Sequence, residues 1–209
     1  MQGGLRDAAP AGLTLIETMR WEPGAGVALL PRHLARLGAG AEAFGIAFAP
    51  EAVVARIATV AGAAPRRLRL TLDLNGTLDL TTADLPPAKP EWQVNFAAEG
   101  LDSTSIWRRF KTSERGLYER ARAALPAGVD EAIFVNERGE IAEGTITNVF
   151  LERDRVLLTP PLTSGCLPGV LRADLLAAGR AREAVLRPGD LAGGGLFLGN
   201  ALRGLIPAK

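Results

Sequence analysis

Residues 67–74 read Arg67-Leu68-Arg69-Leu70-Thr71-Leu72-Asp73-Leu74, polar and apolar in strict alternation, and Asn75-Gly76 then separates them from Thr77-Leu78-Asp79-Leu80. A period of two sends the leucines to one face. An Asn-Gly pair between alternating runs predicts a hairpin, because a type I′ turn needs positive φ at two successive residues. This stretch commits the chain to an antiparallel sheet with one buried face, and neighbouring segments must cover that face. Upstream, residues 13–21 read as a strand, Trp21-Glu22-Pro23-Gly24-Ala25-Gly26 as a turn and Val27 to Leu30 as the returning strand. From Pro31 the period becomes helical. Leu34, Leu37, Ala41 and Phe44 mark one helix, stopped by Gly45, and Val53, Val54, Ile57 and Val60 line a second over Pro50–Ala61.

Leu85-Pro86-Pro87-Ala88-Lys89-Pro90 holds three prolines and marks a linker. The expected division is a smaller N-terminal α+β lobe over 1–85, a linker over 86–91 and a larger lobe over 92–209. In the second lobe Glu91 to Ala97 is an expected strand. Thr112 or Ser113 is an expected N-cap for a helix from Glu114 to about Leu125. Two hairpins follow, turning at Asn136-Glu137-Arg138-Gly139 and at Arg153-Asp154-Arg155. A loop over Pro160–Gly169 opens a helix, Val170 to Ala178, ended by Gly179, and Leu196-Phe197-Leu198 is a closing strand. The class is α+β in two lobes, with a cleft expected at the linker.

Composition narrows the chemistry. The formal net charge of +1 gives no reason to expect nucleic acid or an anionic membrane as partner. One cysteine, Cys166, excludes an intrachain disulfide, and one histidine, His33, excludes a multi-histidine metal site, so no metal is expected. No apolar run is long enough to span a bilayer, and residues 1–7 carry no signal-peptide hydrophobic region, so the expected location is the cytoplasm. Of the 24 Lys plus Arg, only Lys89, Lys111 and Lys209 are lysines. Arginine cannot become a neutral amine nucleophile, whereas lysine can. Lys111, between expected structured segments in Phe110-Lys111-Thr112-Ser113-Glu114-Arg115, is therefore the candidate for amine chemistry.

Two further features belong with it. Glu143, in Ala142-Glu143-Gly144-Thr145-Ile146-Thr147-Asn148, is a carboxylate between strand segments. Leu167-Pro168-Gly169-Val170-Leu171-Arg172 puts a glycine at a helix start, where free N–H groups suit an anion. An amine, an acid and a phosphate cradle are what a pyridoxal phosphate enzyme requires.

The run Glu143 to Phe150, then Leu157-Leu158-Thr159, then Leu167 to Arg172 resembles the signature of the class IV pyridoxal-phosphate aminotransferases. That family includes branched-chain and D-amino-acid aminotransferases and aminodeoxychorismate lyase. Phe110-Lys111-Thr112 is similar to the family's lysine segment, Leu30 to Leu37 to its His-x-x-Arg-Leu helix, and Glu17-Thr18-Met19-Arg20 to its first-lobe strand beside the substrate. The resemblance covers roughly residues 13–207. It implies a two-lobed D-amino-acid aminotransferase-like fold (fold type IV), with the cofactor in the cleft between lobes and a homodimeric assembly.

Position by position, the resemblance makes Lys111 the catalytic lysine that joins the cofactor through its amine. It makes Glu143 the partner of the ring nitrogen. It assigns the phosphate to Arg36, with Gly169 and the backbone N–H groups of Val170 and Leu171, and places Asn200 and Ala201 beside it. Thr18, Arg20 and Arg69 are the implied substrate contacts, and His33 is expected to orient the helix carrying Arg36. Some relatives have a hydroxyl residue where Ala201 stands. The tyrosine many members place five residues after the lysine is Gly116 here, leaving Tyr118 as either a packed helix residue or a site residue. The trimmed N-terminus, Leu-Ile-Glu-Thr-Met-Arg over 15–20, and Lys111-Thr112 followed by Arg115 and Tyr118 resemble the lyase part of fused aminodeoxychorismate synthase–lyase proteins. The implied activity is release of pyruvate and 4-aminobenzoate from 4-amino-4-deoxychorismate, for folate synthesis. Amino-acid transamination with the same residues is the alternative.

Overall fold

A computed structural model describes residues 4–209, and it divides into two compact units. The first comprises the chain through Pro87 together with Phe110–Glu114, and the second comprises Ala88–Arg109 and Arg115–Lys209.

The first unit holds a one-turn helix α1 (Gly4–Asp7), β1 (Thr14–Glu22), β2 (Gly26–Val27), α2 (Leu30–Ala43), α3 (Pro50–Ala58), β3 (Arg66–Asp73) and β4 (Leu78–Asp84). Its sheet runs β2-β1-β3-β4, antiparallel throughout. Register places Leu15, Glu17 and Met19 opposite Leu72, Leu70 and Leu68, all buried. The leucines and Met19 of that row, with Leu37, Ala41, Phe44, Val53 and Ile57, are the buried apolar residues the alternation requires. Gly40 lets α2 lie close to β1, since a Cβ there would stand 3.0 Å from Leu15 Cδ1.

Several expectations change here. The Asn75-Gly76 connection is not a type I′ turn: only Gly76 has positive φ, at 86°. The Asp73 carboxylate accepts from the N–H groups of Asn75 and Thr77, and Asp73 N–H reaches Thr77 O across three loop residues. That local side-chain hydrogen bonding favours a turn followed by one left-handed glycine. The double positive φ occurs instead at Asp154 and Arg155, at 51° and 64°. In α3, Val53 and Ile57 are buried but Val54 is exposed, so the inner stripe is narrower than expected.

The segment around Lys111 also differs. It was expected in the second lobe, but it pairs with β1 of the first unit. Ile16 N–H donates to Lys111 O at 2.8 Å, Ser113 N–H donates to Thr14 O, and Thr14 N–H donates to Ser113 Oγ. With Ser113 Oγ engaged this way and Thr112 Oγ1 accepting from Glu114 N–H, neither residue caps the next helix. That helix, α4 (Gly116–Ala123), starts later, with Arg115 at its N-cap.

The second unit contains β5 (Val94–Phe96), α4, β6 (Glu131–Val135), β7 (Ile141–Gly144), β8 (Asn148–Arg153), β9 (Val156–Thr159), α5 (Val170–Ala177), β10 (Ala181–Glu183), β11 (Leu196–Asn200) and β12 (Gly204–Ala208). β6 to β9 form an antiparallel meander, β5 pairs parallel to β6, β10 pairs parallel to β9, and β11 pairs with both β8 and β12. Both faces are covered. Ile133, Ile141, Val149, Leu151 and Leu198 pack into one cluster, Phe134 and Ala142 with Tyr118 and Leu101 into another, and Phe150 with Leu157 and Leu175 under α5. This explains why β6–β8 read as nearly unbroken apolar runs.

Candidate active site

Near the end of β7, Glu143 pairs with Asn148 at the start of β8. The connecting loop is organised by a second carboxylate. Glu131, fully buried at the head of β6, accepts from the N–H groups of Thr145 and Ile146 and from the hydroxyls of Thr145 and Thr147. Gly144 is required for this clasp, because a Cβ there would stand 2.4 Å from Thr147 Oγ1 and 3.0 Å from Glu131 Cδ. Arg122 donates to Thr145 Oγ1 at 2.8 Å, and Arg115 donates to Thr145 O at 2.5 Å.

The clasp holds Glu143 in a dry place. One carboxylate oxygen accepts the Tyr118 hydroxyl and the other accepts the Leu167 N–H at 2.9 Å. Among the described residues no cation bonds to it directly. Burial pushes its carboxyl above the ordinary value, and the Tyr118 and Leu167 donors and the charges of Arg108 and Arg115 only partly oppose this. A heteroaromatic N–H⁺ is the complementary partner for such a group.

The loop before α5 brings the anion cradle to the same end of the unit. Asn148 Nδ2 donates to Leu167 O at 3.0 Å, and Gly169 fits tightly beneath it, since a Cβ would come 1.8 Å from Asn148 Oδ1. Gly169 is the N-cap of α5 and no side chain caps the helix, so the first-turn N–H groups of Val170 and Leu171 suit an external anion. Gly199, at the end of β11, lies against Leu171, with a Cβ there 2.9 Å from Leu171 Cδ2. This places Asn200 and Ala201 by the helix start. The Asn200 amide is already engaged: Nδ2 donates to Ile146 O, and Oδ1 accepts from Leu202 and Arg203 N–H. It shapes the turn, leaving backbone to face a ligand. Cys166 is buried against Pro160 O and Pro161 O, and burial pushes its thiol up to about 12, so it is no nucleophile near neutrality.

In the first unit the candidates fall into two groups. On the helix side, Glu17 binds Arg36 through Nε at 2.8 Å and Nη2 at 2.6 Å, and its Oε2 lies 2.6 Å from His33 Nδ1. Burial pushes the Glu17 carboxyl up, but Arg36 and His33 outweigh it and hold the carboxyl below its ordinary value. His33 and Arg36, both on α2, thus share the Glu17 carboxylate of β1. On the other face of the sheet, Thr18 stands opposite Arg69 and Arg20 opposite Arg67. Arg20 is tied to Glu22 at 2.5 Å. Lys111 is half-buried, its carbonyl anchored to β1.

Sequence reasoning assigned no role to Glu131, to Glu17 or to the Tyr118–Glu143 contact. The available signals were a carboxylate heading the apolar run Glu131-Ala132-Ile133-Phe134-Val135 and one interrupting Leu15-Ile16-Glu17.

The sequence model of the family described as amino-transferase class IV matches residues 14–209. Aminodeoxychorismate lyase of Saccharomyces cerevisiae is 33% identical over 128 residues, 52% of this chain and 33% of that protein. A branched-chain-amino-acid aminotransferase of Salmonella typhimurium is 34% identical over 107 residues, 44% of this chain and 35% of that protein. The matched stretch thus spans about a third of the length of these curated relatives. Among solved structures, a Mesorhizobium loti protein provisionally named an amino-acid aminotransferase shares 46% identity with a TM-score of 0.89, covering 94% of this chain and 99% of its own. The 4-amino-4-deoxychorismate lyase of Pseudomonas aeruginosa, at 22% identity, shares the fold with a TM-score of 0.78 over 94% of this chain and 82% of its own. With a matched signature, the fold-type IV architecture and a buried carboxylate beside an uncapped helix start, the chain belongs to the class IV aminotransferase family of pyridoxal-phosphate-dependent enzymes.

Proposed function

We propose that this chain acts as a 4-amino-4-deoxychorismate lyase, releasing pyruvate and 4-aminobenzoate for folate synthesis. The observation that supports the cofactor assignment is Glu143, a buried carboxylate with no bonded cation among the described residues, at the same end of the unit as the uncapped start of α5. Lys111 would hold the cofactor covalently, Glu143 its ring nitrogen, and Arg36 with the Gly169, Val170, Leu171, Asn200 and Ala201 backbone its phosphate. When bound, pyridoxal phosphate supplies an aldehyde that condenses with amines and a ring that accepts electron density from the adjacent carbon.

The residues then do simple work. Glu143 would face the ring nitrogen. Lys111 Nζ, as a free amine, would take the proton from the amine-bearing carbon and return one to the departing three-carbon acid. Water exclusion around Glu143 strengthens its interaction with a cationic partner. Support for the lyase substrate comes from the first unit. Arg67 and Arg69 share a face with Thr18, and among the described residues neither makes a side-chain hydrogen bond or ion pair. Two exposed guanidiniums without a protein partner suit a substrate with two carboxylates, as 4-amino-4-deoxychorismate has.

A second reading, amino-acid transamination, is favoured by the name of the Mesorhizobium loti structure. Incubating holoenzyme with aminodeoxychorismate, and separately with amino acids and 2-oxo acids, separates the two. Formation of pyruvate and 4-aminobenzoate supports the lyase, while robust amino transfer without lyase turnover reverses the order. We further propose a cytoplasmic homodimer, for which sedimentation should give twice the mass of the 22.0 kDa chain. A monomer profile would count against it.

A further inference from the structure

Tyr118 does not occupy the place, five residues after the lysine, from which relatives reach the cofactor hydroxyl. It lies on α4, buried, with its ring edge-on to Phe134 at 5.3 Å between centroids. Its hydroxyl donates to Glu143 Oε1. The Arg115 and Arg108 guanidiniums lie over the same ring, 4.6 Å and 5.0 Å from its centroid. The Nε of Arg108 is buried with no hydrogen-bond partner, and the arginine is held by the Tyr118 ring and hydroxyl. Arg115 is fixed through Thr145 O, on the loop that Glu131 clasps. Two cations thus flank a phenol whose hydroxyl donates to the buried carboxylate and also meets the Arg108 side chain. A guanidinium over an aromatic face draws electron density and makes the hydroxyl a better donor.

We propose that Tyr118 is the positioning residue for Glu143: its hydroxyl, strengthened by Arg108 and Arg115 over its ring, fixes the carboxylate in one orientation toward a heteroaromatic N–H⁺. This rests on the pyridoxal phosphate reading above. It assigns Tyr118 to the ring-nitrogen end of the cofactor and not to the ring hydroxyl. The Tyr118 hydroxyl, the Leu167 N–H and two guanidiniums that act through space all oppose the burial that pushes this carboxyl above its ordinary value.

The test uses two probes on cofactor-stripped protein: pyridoxal phosphate and its 1-deaza analogue, in which carbon replaces the ring nitrogen. Tyr118→Phe keeps the ring against Phe134 and beside both arginines, and removes the hydroxyl with its contacts to Glu143 and Arg108. Pyridoxal phosphate should bind about ten- to a hundred-fold more weakly, as expected for losing a hydrogen bond to a charged group. The deaza analogue should lose less than about twofold, because it makes no ion pair with Glu143. In a Glu143→Gln background Tyr118→Phe should add nothing further. Arg108→Met, which removes one charge over the ring, is a second variant and should weaken pyridoxal phosphate selectively in the same way. Equal weakening of both probes, additive losses in the double variant, or unchanged affinity for pyridoxal phosphate overturns the assignment of Tyr118. A wild-type protein that takes up neither probe overturns the proposed function, and the positioning role with it.

Discussion

At the scale of single residues, the two buried glutamates respond to acid in opposite ways. The Glu143 carboxyl titrates above its unfolded value, so between the two values the native state holds more protons than the unfolded chain. Stability of the cofactor-free protein therefore falls as pH rises from about 4.5 through the raised value. Glu143→Gln removes that slope. The cofactor-free variant should melt higher than wild type at pH 8, by roughly 2–4 °C per kcal/mol, and lose the advantage near pH 4. In the holoenzyme the same change should cost orders of magnitude in turnover, and near-wild-type turnover would remove Glu143 from its role. Glu17 is the converse case. Its carboxyl titrates below the unfolded value, so its contribution is full above about pH 4.5 and fades as pH falls through the lower folded value. Glu17→Gln leaves Arg36 and His33 without their carboxylate and should cost about 3 kcal/mol or more in urea unfolding at pH 7. That gap should narrow on acidification. Residue types at the site were legible in the sequence, because lysine is rare here and Glu143 and Gly169 sit in a spaced signature. Contacts were not. The Tyr118–Glu143 bond joins positions 25 apart, one on a helix and one on a strand, and no local pattern encodes which hydroxyl a buried acid will meet.

At the scale of elements, the cradle depends on one glycine. A methyl group at 169 must displace Asn148, whose amide fixes Leu167, and Leu167 in turn donates to Glu143. Gly169→Ala should therefore lower affinity for inorganic phosphate and for pyridoxal phosphate together, with overpacking of about 1–3 kcal/mol. Isothermal titration with either probe reads this directly, and unchanged phosphate affinity would show that Asn148 yields freely. The hairpins were legible because alternation and turn residues are local. The start of α4 was not, because Thr112 and Ser113 carry the chemistry of a cap but are bonded instead around β1. β10 is three residues long and β12 contains Pro207, so neither shows a strand pattern, and both are set by pairing with β9 and β11. The Asn75-Gly76 pair marked a turn correctly, but Asp73 decided its type.

At the scale of the whole molecule, ligand and fold are linked by mass action. A cofactor that binds only the native state should raise stability by about 2.7 kcal/mol at a hundred times its dissociation constant. Thermal unfolding with and without pyridoxal phosphate should show that rise in wild type and a much smaller one in Lys111→Ala, where only non-covalent contacts remain. Fold class was legible from the alternation of hairpins and helices, whereas membership of Phe110–Glu114 in the first unit was not, because it depends on pairing with a strand about a hundred residues earlier. Among the described residues no helix is long and apolar enough to cross a membrane. The central claim, that Lys111 alone among three lysines carries the cofactor, has a direct measurement. Protein incubated with pyridoxal phosphate is reduced with borohydride, digested, and its peptides weighed. The account predicts a stable pyridoxyl adduct on Lys111 at close to one per chain, with Lys89 and Lys209 unmodified. An adduct spread over Lys89 and Lys209, or none on Lys111, would contradict it.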